Sequence, residues 1–311
     1  MSTLADSYRD FRARGGLVDL SSMRARLRFT GADRVRYLNG QLTANLAAAA
    51  KAGGIVPACV TTAKGKLCAD VLATIGAEAI VLDADASVRE SLAARLERYI
   101  VADDVVLEDV TETGALFHVV GVDAARAQEI AGQPALAVNR FGVPGADLSA
   151  PTREALAEAW AKLAAEFPVL SPELLERIRI EHGVPRWGAE LDENTFPSEA
   201  GLDRTHVDYH KGCYIGQEVI SRLRSVGHAN RELRGFTAED PLAAGARLFT
   251  ADEPARDLGR LTSATHSFGL DRPIALGYLR RGAPEIGLLA ASTEAPDAPV
   301  PVSLHPLPFV P

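Results

Sequence analysis

The residue with the richest chemistry is Cys213, set in the run His210-Lys211-Gly212-Cys213-Tyr214-Ile215-Gly216-Gln217-Glu218. Gly212 permits a tight turn before the thiol, and residues 216–220 can begin a helix after it. A thiol at a helix N-terminus, beside Lys211 and His210, has its thiolate favoured by the helix dipole and by positive neighbours. Such a thiolate can attack an electrophile, be oxidised or contact a soft metal. The same residues suit a structural cysteine in a glycine-rich turn equally well. His206, His210 and Cys213 are spaced H-x3-H-x2-C, with Asp203 or Asp208 able to add an oxygen, an arrangement that imitates part of a zinc site. Cys59 and Cys68 lie far away in the chain and read as small core residues. The expectation is therefore no dedicated metal site, with a transient cluster contact through Cys213 alone as the open alternative.

Three acids are the other candidates. Glu181 closes a helix expected over residues 173–182, which Ser171 caps, Pro172 opens and Gly183 ends. At that end the dipole and partial burial disfavour its charge, so a carboxylate held there needs donors. An aminopyrimidine-like ring offers two matched N–H donors, and a solvated helix-end acid is the plainer alternative. Glu199, in Pro197-Ser198-Glu199-Ala200-Gly201, is a similar candidate with less to determine it. Asp70 interrupts the apolar run of residues 67–72, and strand alternation puts it on the face of Cys68 and Leu72. An acid on an apolar face is uncommon without a reason. It either lines a pocket or faces water from an edge strand.

The elements that would position these groups can be read from periodicity. An amphipathic helix over residues 1–16 carries Leu4, Tyr8 and Phe11 on one side. A half-buried strand follows at residues 24–29, then a helix opened by Gly31-Ala32-Asp33. Residues 55–61 and 67–75 form a hairpin through a turn containing Gly65. A strand at residues 79–82 precedes a helix over residues 87–100 with Ser87 as cap. Strands at residues 105–110 and 115–120 and helices over residues 123–131 and 151–167 complete the list. This order is not a β-α-β-α alternation, so the fold class expected is α+β rather than a doubly wound sheet. From Glu232 the texture changes to short apolar runs separated by Gly, Pro and Asp, which favours a small β-barrel. The expected division is an α+β region of two interleaved subdomains over residues 1–235 and a barrel over residues 236–311.

Composition narrows the function. With 311 residues, 47% hydrophobic and 24% charged, the chain has the material for a real core. No apolar run nears the roughly 20 residues that cross a bilayer, and the N-terminal region lacks a signal-peptide core and carries Asp6 and Asp10. The expected compartment is the cytoplasm. A net charge of −8 argues against direct nucleic-acid binding. Three cysteines without a C-x-x-C pair make no disulfide framework.

The run from Lys211 to Glu218 resembles the signature of the YgfZ-type folate-binding proteins, a group that includes mitochondrial iron–sulfur assembly relatives. Arg179-Ile180-Glu181-His182-Gly183, Gly188, Asp192-Glu193-Asn194-Thr195, Pro197-Ser198-Glu199 and the hairpin Gly65-Lys66-Leu67-Cys68-Ala69-Asp70 resemble the wider superfamily of the glycine-cleavage aminomethyltransferase, or T-protein. The resemblance implies an aminomethyltransferase-like fold of α+β units round a central cavity, with a small C-terminal β-barrel, that takes tetrahydrofolate or a one-carbon derivative. It implies a pterin contact for Glu181 and a part in aminomethyl transfer for Asp70. The cofactor-binding set expected on that basis is Glu181, Glu199, Asp70 and Lys211, and the reactive groups are Cys213 and Asp70. The cysteine-containing loop departs from the T-protein pattern, which argues against glycine cleavage itself. The function expected is an accessory factor for assembly or repair of 4Fe-4S proteins, with effects on tRNA modification. Its partners would be iron–sulfur assembly proteins or cluster-containing clients. The rival expectation is a tetrahydrofolate-dependent one-carbon transferase in which Asp70 orients or deprotonates the amine. A thiol oxidoreductase would want a resolving cysteine near Cys213, and the sequence offers none nearby.

Overall fold

Thr3 starts the first helix, α1 (Leu4–Arg14), by a reciprocal cap: its hydroxyl accepts from Asp6 N–H at 3.1 Å and Asp6 accepts from Thr3 N–H at 3.0 Å. Two free donors of the first turn are satisfied at once. The computed structural model describes residues 3–225 and 227–311, so Met1 and Ser2, part of the expected helix, lie outside the described residues. The helix stops before Gly16. Gly15 caps it with a φ of +83°, and Gly16 already belongs to strand β1 (Gly16–Asp19).

The chain next lays down a five-stranded antiparallel sheet from β2 (Arg24–Thr30), β3 (Gly54–Thr61), β4 (Leu67–Ile75), β5 (Ile80–Asp85) and β6 (Val106–Asp109), in the order β3-β4-β5-β2-β6. Helices α2 (Arg34–Gln41), α3 (Leu46–Ala52) and α4 (Arg89–Glu97) cover one face. The alternation along β4 is strict, with Ala69, Val71 and Ala73 turned under Leu38, Leu42, Leu46, Leu92 and Leu96. Burying those five leucines contributes on the order of 10 kcal/mol relative to exposure. With one face so anchored, the other is free to carry polar side chains. Ser87 is not the cap of α4. Asp85 caps the 3-10 turn (Ala86–Val88) that leads into it, accepting from Ser87 N–H at 2.9 Å, Val88 precedes α4 without a side-chain cap, and the helix ends at Glu97 rather than at residue 100.

β7 (Ala115–Val120) then returns to pair with β1, and β8 (Leu136–Ala137) and β9 (Gly145–Ala150) complete a second sheet in the order β1-β7-β9-β8. Helices α5 (Ala124–Ala131) and α6 (Ala157–Glu166) bury Phe117, Val119, Leu148 and Leu163 against it. The helix expected from residue 151 begins only with a 3-10 turn at Glu154–Leu156. The two sheets are joined by one buried cation. Arg140 binds Asp147 of β9 through Nε–H at 2.9 Å and also binds Asp83 of β5, which takes Arg24 as a second partner. His118 of β7 completes the network with Nδ1 at 2.8 Å from Asp147.

After α7 (Pro172–Glu181), capped by Ser171 as expected, and α8 (Gln217–Ser225), the chain forms a closed barrel. Its strands are β10 (Arg231–Thr237), β11 (Arg247–Thr250), β12 (Gly259–Ser267), β13 (Arg272–Arg280), β14 (Leu288–Ala291) and β15 (Val300–His305), in the order β10-β13-β12-β11-β14-β15. β10 spans residue 235, where the division was expected, and α7 packs along β12. Glu190 fastens the barrel to α7: it accepts from Arg179 Nη1 at 2.7 Å, Thr262 Oγ1 at 2.7 Å and Ser263 Oγ at 2.6 Å.

Candidate functional site

Residues 206–216, which carry Cys213, lie against the turn between α2 and α3 and the end of β3. Asp208 N–H donates to Thr43 O at 3.0 Å and Ile215 N–H to Gly40 O at 3.2 Å. Thr61 Oγ1 donates to Ile215 O at 2.6 Å. Gly216 sits so close to the β3–β4 turn that a Cβ there would lie 2.6 Å from Thr62 O, and its φ is +90°. Only glycine fits that position. The hairpin tip, Gly65, in turn meets Val219 and Ile220 of α8.

Within this braced loop the side chains divide sharply. Lys211 is buried, and its Nζ donates to Asn39 O at 2.6 Å, Leu42 O at 2.7 Å and Ala44 O at 2.6 Å. An ammonium has three N–H donors, and here all three go to backbone carbonyls. Burial pulls its pKa down to about 8, with Asp208 opposing. Tyr214 is buried as well, its hydroxyl without a hydrogen-bond partner and its pKa pushed up to about 12 by burial. Cys213 between them is exposed. Helix α8 begins at Gln217, within the stretch of residues 216–220 expected to start it, and the thiol lies just ahead of its first turn.

The histidine spacing does not converge. Among the described residues no group of three His, Cys, Asp or Glu side chains is placed to hold a metal. His210 is exposed, whereas His206 is pressed down to about 4 by burial, its Nδ1 2.7 Å from Thr205 Oγ1.

Asp70 stands on the face of Cys68 and Leu72, opposite Cys59 in the β3–β4 register. It is half-buried, and no hydrogen bond from another residue reaches its carboxylate among the described residues. Burial raises its pKa, Arg24 opposes, and Asp85 and Asp83 add to the rise. Cys59 is sealed, its thiol driven up by burial and then by Asp70. Around Cys59 gather Leu67, Leu191, Ala200, Leu202 and the half-buried Trp187. This apolar wall is the setting in which Asp70 is held.

The two glutamates part company. Glu181 has 0% exposure, and its Oε1 accepts from Ser267 Oγ at 2.6 Å and Gly269 N–H at 3.2 Å. It is a seam residue between α7 and the barrel, closed off from solvent, and its Oε2 is buried without a hydrogen-bond partner. Glu199 lies beside Ala200 of the Cys59 wall, its Oε2 accepting from Phe196 N–H at 3.1 Å and 3.2 Å from Arg231. Arg231 in turn stacks on Tyr278, 4.2 Å from the ring centroid. Of the residues that build the site, Thr43, Trp187 and Tyr214 had no place in the sequence reading. Tyr214 could have been found as the one aromatic inside a glycine-flanked loop, but Thr43 and Trp187 carry no local signal.

The barrel, residues 231–311, matches the family model for the glycine cleavage T-protein C-terminal barrel domain. The whole fold is shared with the crystal structure of glycine cleavage system aminomethyltransferase T from Bartonella henselae, at TM-score 0.86 and 21% identity, covering 99% of this chain and 89% of that one. The aminomethyltransferase of Rubrobacter xylanophilus is 30% identical over 325 aligned positions, 96% of this chain and 84% of its own. A chloroplast protein of Arabidopsis thaliana, At1g60990, is 28% identical over 87% of this chain, which spans 66% of its length. The mitochondrial iron–sulfur cluster assembly factor IBA57 homologue of Pyricularia oryzae is 26% identical over 82% of this chain and 68% of its own. These likenesses run through both the α+β sheets and the barrel, and the chain belongs to the aminomethyltransferase family.

Proposed function

We propose that this chain binds a tetrahydrofolate on the Asp70 face and serves, through the thiol of Cys213, the assembly or repair of 4Fe-4S proteins. The observation that carries the reading is the contrast within one loop. Lys211 and Tyr214 are sealed into the fold, and Cys213 between them is exposed. A thiol at the surface is open to attack, oxidation or contact with a client, where a buried one is inert. The likeness to the iron–sulfur assembly factor of Pyricularia oryzae supports the same direction. For the ligand, Asp70 and Glu199 suit ring N–H donors, because Asp70 is desolvated with no donor from the chain and Glu199 borders the same apolar wall. The partners would be assembly proteins or cluster-containing clients in a reducing compartment, the cytoplasm in the simplest case, and tRNA modification would suffer where it depends on such clients.

A second reading, aminomethyl or other one-carbon transfer, draws on Asp70 and on the aminomethyltransferase of Rubrobacter xylanophilus. A carboxylate with a raised pKa is a competent acceptor for the proton of an ammonium substrate. Deleting the gene and assaying several 4Fe-4S enzymes beside glycine-cleavage flux separates the two. Falling cluster-enzyme activity that Cys213→Ser fails to restore supports the first reading. Lost glycine cleavage with normal cluster enzymes supports the second.

A further inference from the structure

Lys211 and Thr43 together tie the loop of the thiol to the strand that faces the acid. The three acceptors of the Lys211 ammonium are carbonyls of residues 39, 42 and 44, at the C-terminal end of α2 and the turn beyond it. Helix-end carbonyls of this kind need donors, and a single buried cation supplies three at once. Thr43 stands between two of those acceptors and bonds in both directions. Its hydroxyl donates to His206 O at 2.5 Å and accepts from Cys59 N–H at 2.8 Å, while its carbonyl accepts from Asp208 N–H at 3.0 Å. Cys59 is the register partner of Asp70. The turn of residues 39–44 is thus wedged between the strand that faces the acid and the loop that carries the thiol.

We infer that Lys211 and Thr43 are positioning residues for Cys213, clamping its loop to the strand that faces Asp70. The inference rests on the reading of Cys213 as the working thiol. Gly212 next to it gives the backbone wide freedom, so without the clamp the thiol would sample many places relative to the acid. The charge of the clamp matters as much as its shape, because a neutral side chain leaves three buried carbonyls without donors.

The test is amide hydrogen exchange on the full chain. In Lys211→Met, exchange at Asp208 and Ile215 should quicken by at least about tenfold, with barrel amides such as Phe236 unchanged, the signature of local rather than global opening. Lys211→Ala in n-propylammonium, which restores the missing stem and charge, should recover the protection, and n-propanol should not. Thr43→Val should speed exchange at Asp208 and Cys59, and Thr43→Ser should restore it. The ratio of Cys213 to Cys68 alkylation rates should shift in Lys211→Ala and return with n-propylammonium. Wild-type protection in folded Lys211→Met, or equal effects of the ammonium and the alcohol, would overturn the clamp. Should Lys211→Met fail to fold, the Thr43 pair decides by the same exchange rates. Full support of cluster enzymes by Cys213→Ser would instead remove the thiol's role while leaving these exchange rates as expected.

Discussion

Replacing Asp70 with asparagine should make the protein more stable and a poorer binder at the same pH. The carboxyl is half-buried beside the Cys59 wall, where burial raises its pKa and Asp85 and Asp83 reinforce the rise against Arg24. A raised folded pKa means that the folded state holds the proton more tightly than the unfolded chain does. The ionised group therefore costs stability above the unfolded value, near 3.9 for aspartate, and the cost grows until the pH passes the folded value. Asparagine keeps the shape and removes the charge, a gain on the order of 1 kcal/mol, or about 2 °C in a chain of this size. The gain should shrink as the pH falls towards 4 and vanish only well below it, where both states hold the proton. Binding moves the other way. Losing one charge-assisted hydrogen bond costs about 1.5–3 kcal/mol, a tetrahydrofolate Kd about 10–150 times weaker. Thermal melts from pH 4 to 8 and calorimetric titration read the two effects separately. A lower Tm at pH 7.5 would show that the Arg24 attraction outweighs desolvation, and an unchanged Kd would take Asp70 out of the ligand site.

Glu181→Ala should destabilise by about 2 kcal/mol, since Ser267 and Gly269 lose their acceptor; tetrahydrofolate titration should be unmoved, and weakened binding in a folded mutant would refute the seam assignment. Iodoacetamide mapping by mass spectrometry should label Cys213 first, the half-buried Cys68 more slowly and Cys59 only on unfolding; early labelling of Cys59 would contradict the burial. Burial holds the pKa of His118 below its ordinary value, and Asp147, which burial alone would raise, is held at about 2 by Arg140 and His118. The unfolded chain therefore takes up protons that the folded chain refuses, and urea midpoints should fall as the pH drops from 7.5 to 5. His118→Gln should flatten that slope, and a wild-type midpoint that rises on acidification would overturn the account.

The legible parts of this molecule are those set by neighbours in the chain. The β3–β4 hairpin announces itself by alternation and Gly65, and α7 by Ser171, Pro172 and Gly183. β1 and β14 are four residues each, too short for a period to show, and β1 hides behind the helix that precedes it. The site divides the same way. Asp70 is visible because an acid within an alternating apolar strand is an anomaly, and the facing residues Cys68 and Leu72 follow from the period. The internal bonds of Lys211 are not legible because its acceptors lie 167 to 172 positions away in the chain, where no local pattern points to them. For Glu181 the helix-end argument finds a carboxylate in want of donors; β12 and the turn beyond it, far along the chain, supply them to Oε1 and leave Oε2 without one. The Arg140 bridge joins two sheets, and it could be anticipated only from His118, a polar residue inside the otherwise apolar run of β7.

The way β1 is completed has a consequence for the protein as it leaves the ribosome. Leu17 waits for Val119 to complete its strand pair, and the whole five-stranded sheet is synthesised in the interval. Tyr8 waits longer, for Phe268 of the barrel, whose ring lies 5.4 Å from its own. At about 5–20 residues per second, the apolar side of α1 remains uncovered for some tens of seconds. The middle of the chain can be a finished sheet while its first segment is still an exposed amphipathic helix. A burden on chaperones during translation, concentrated in the first twenty or so residues, follows from the order in which the pieces are made.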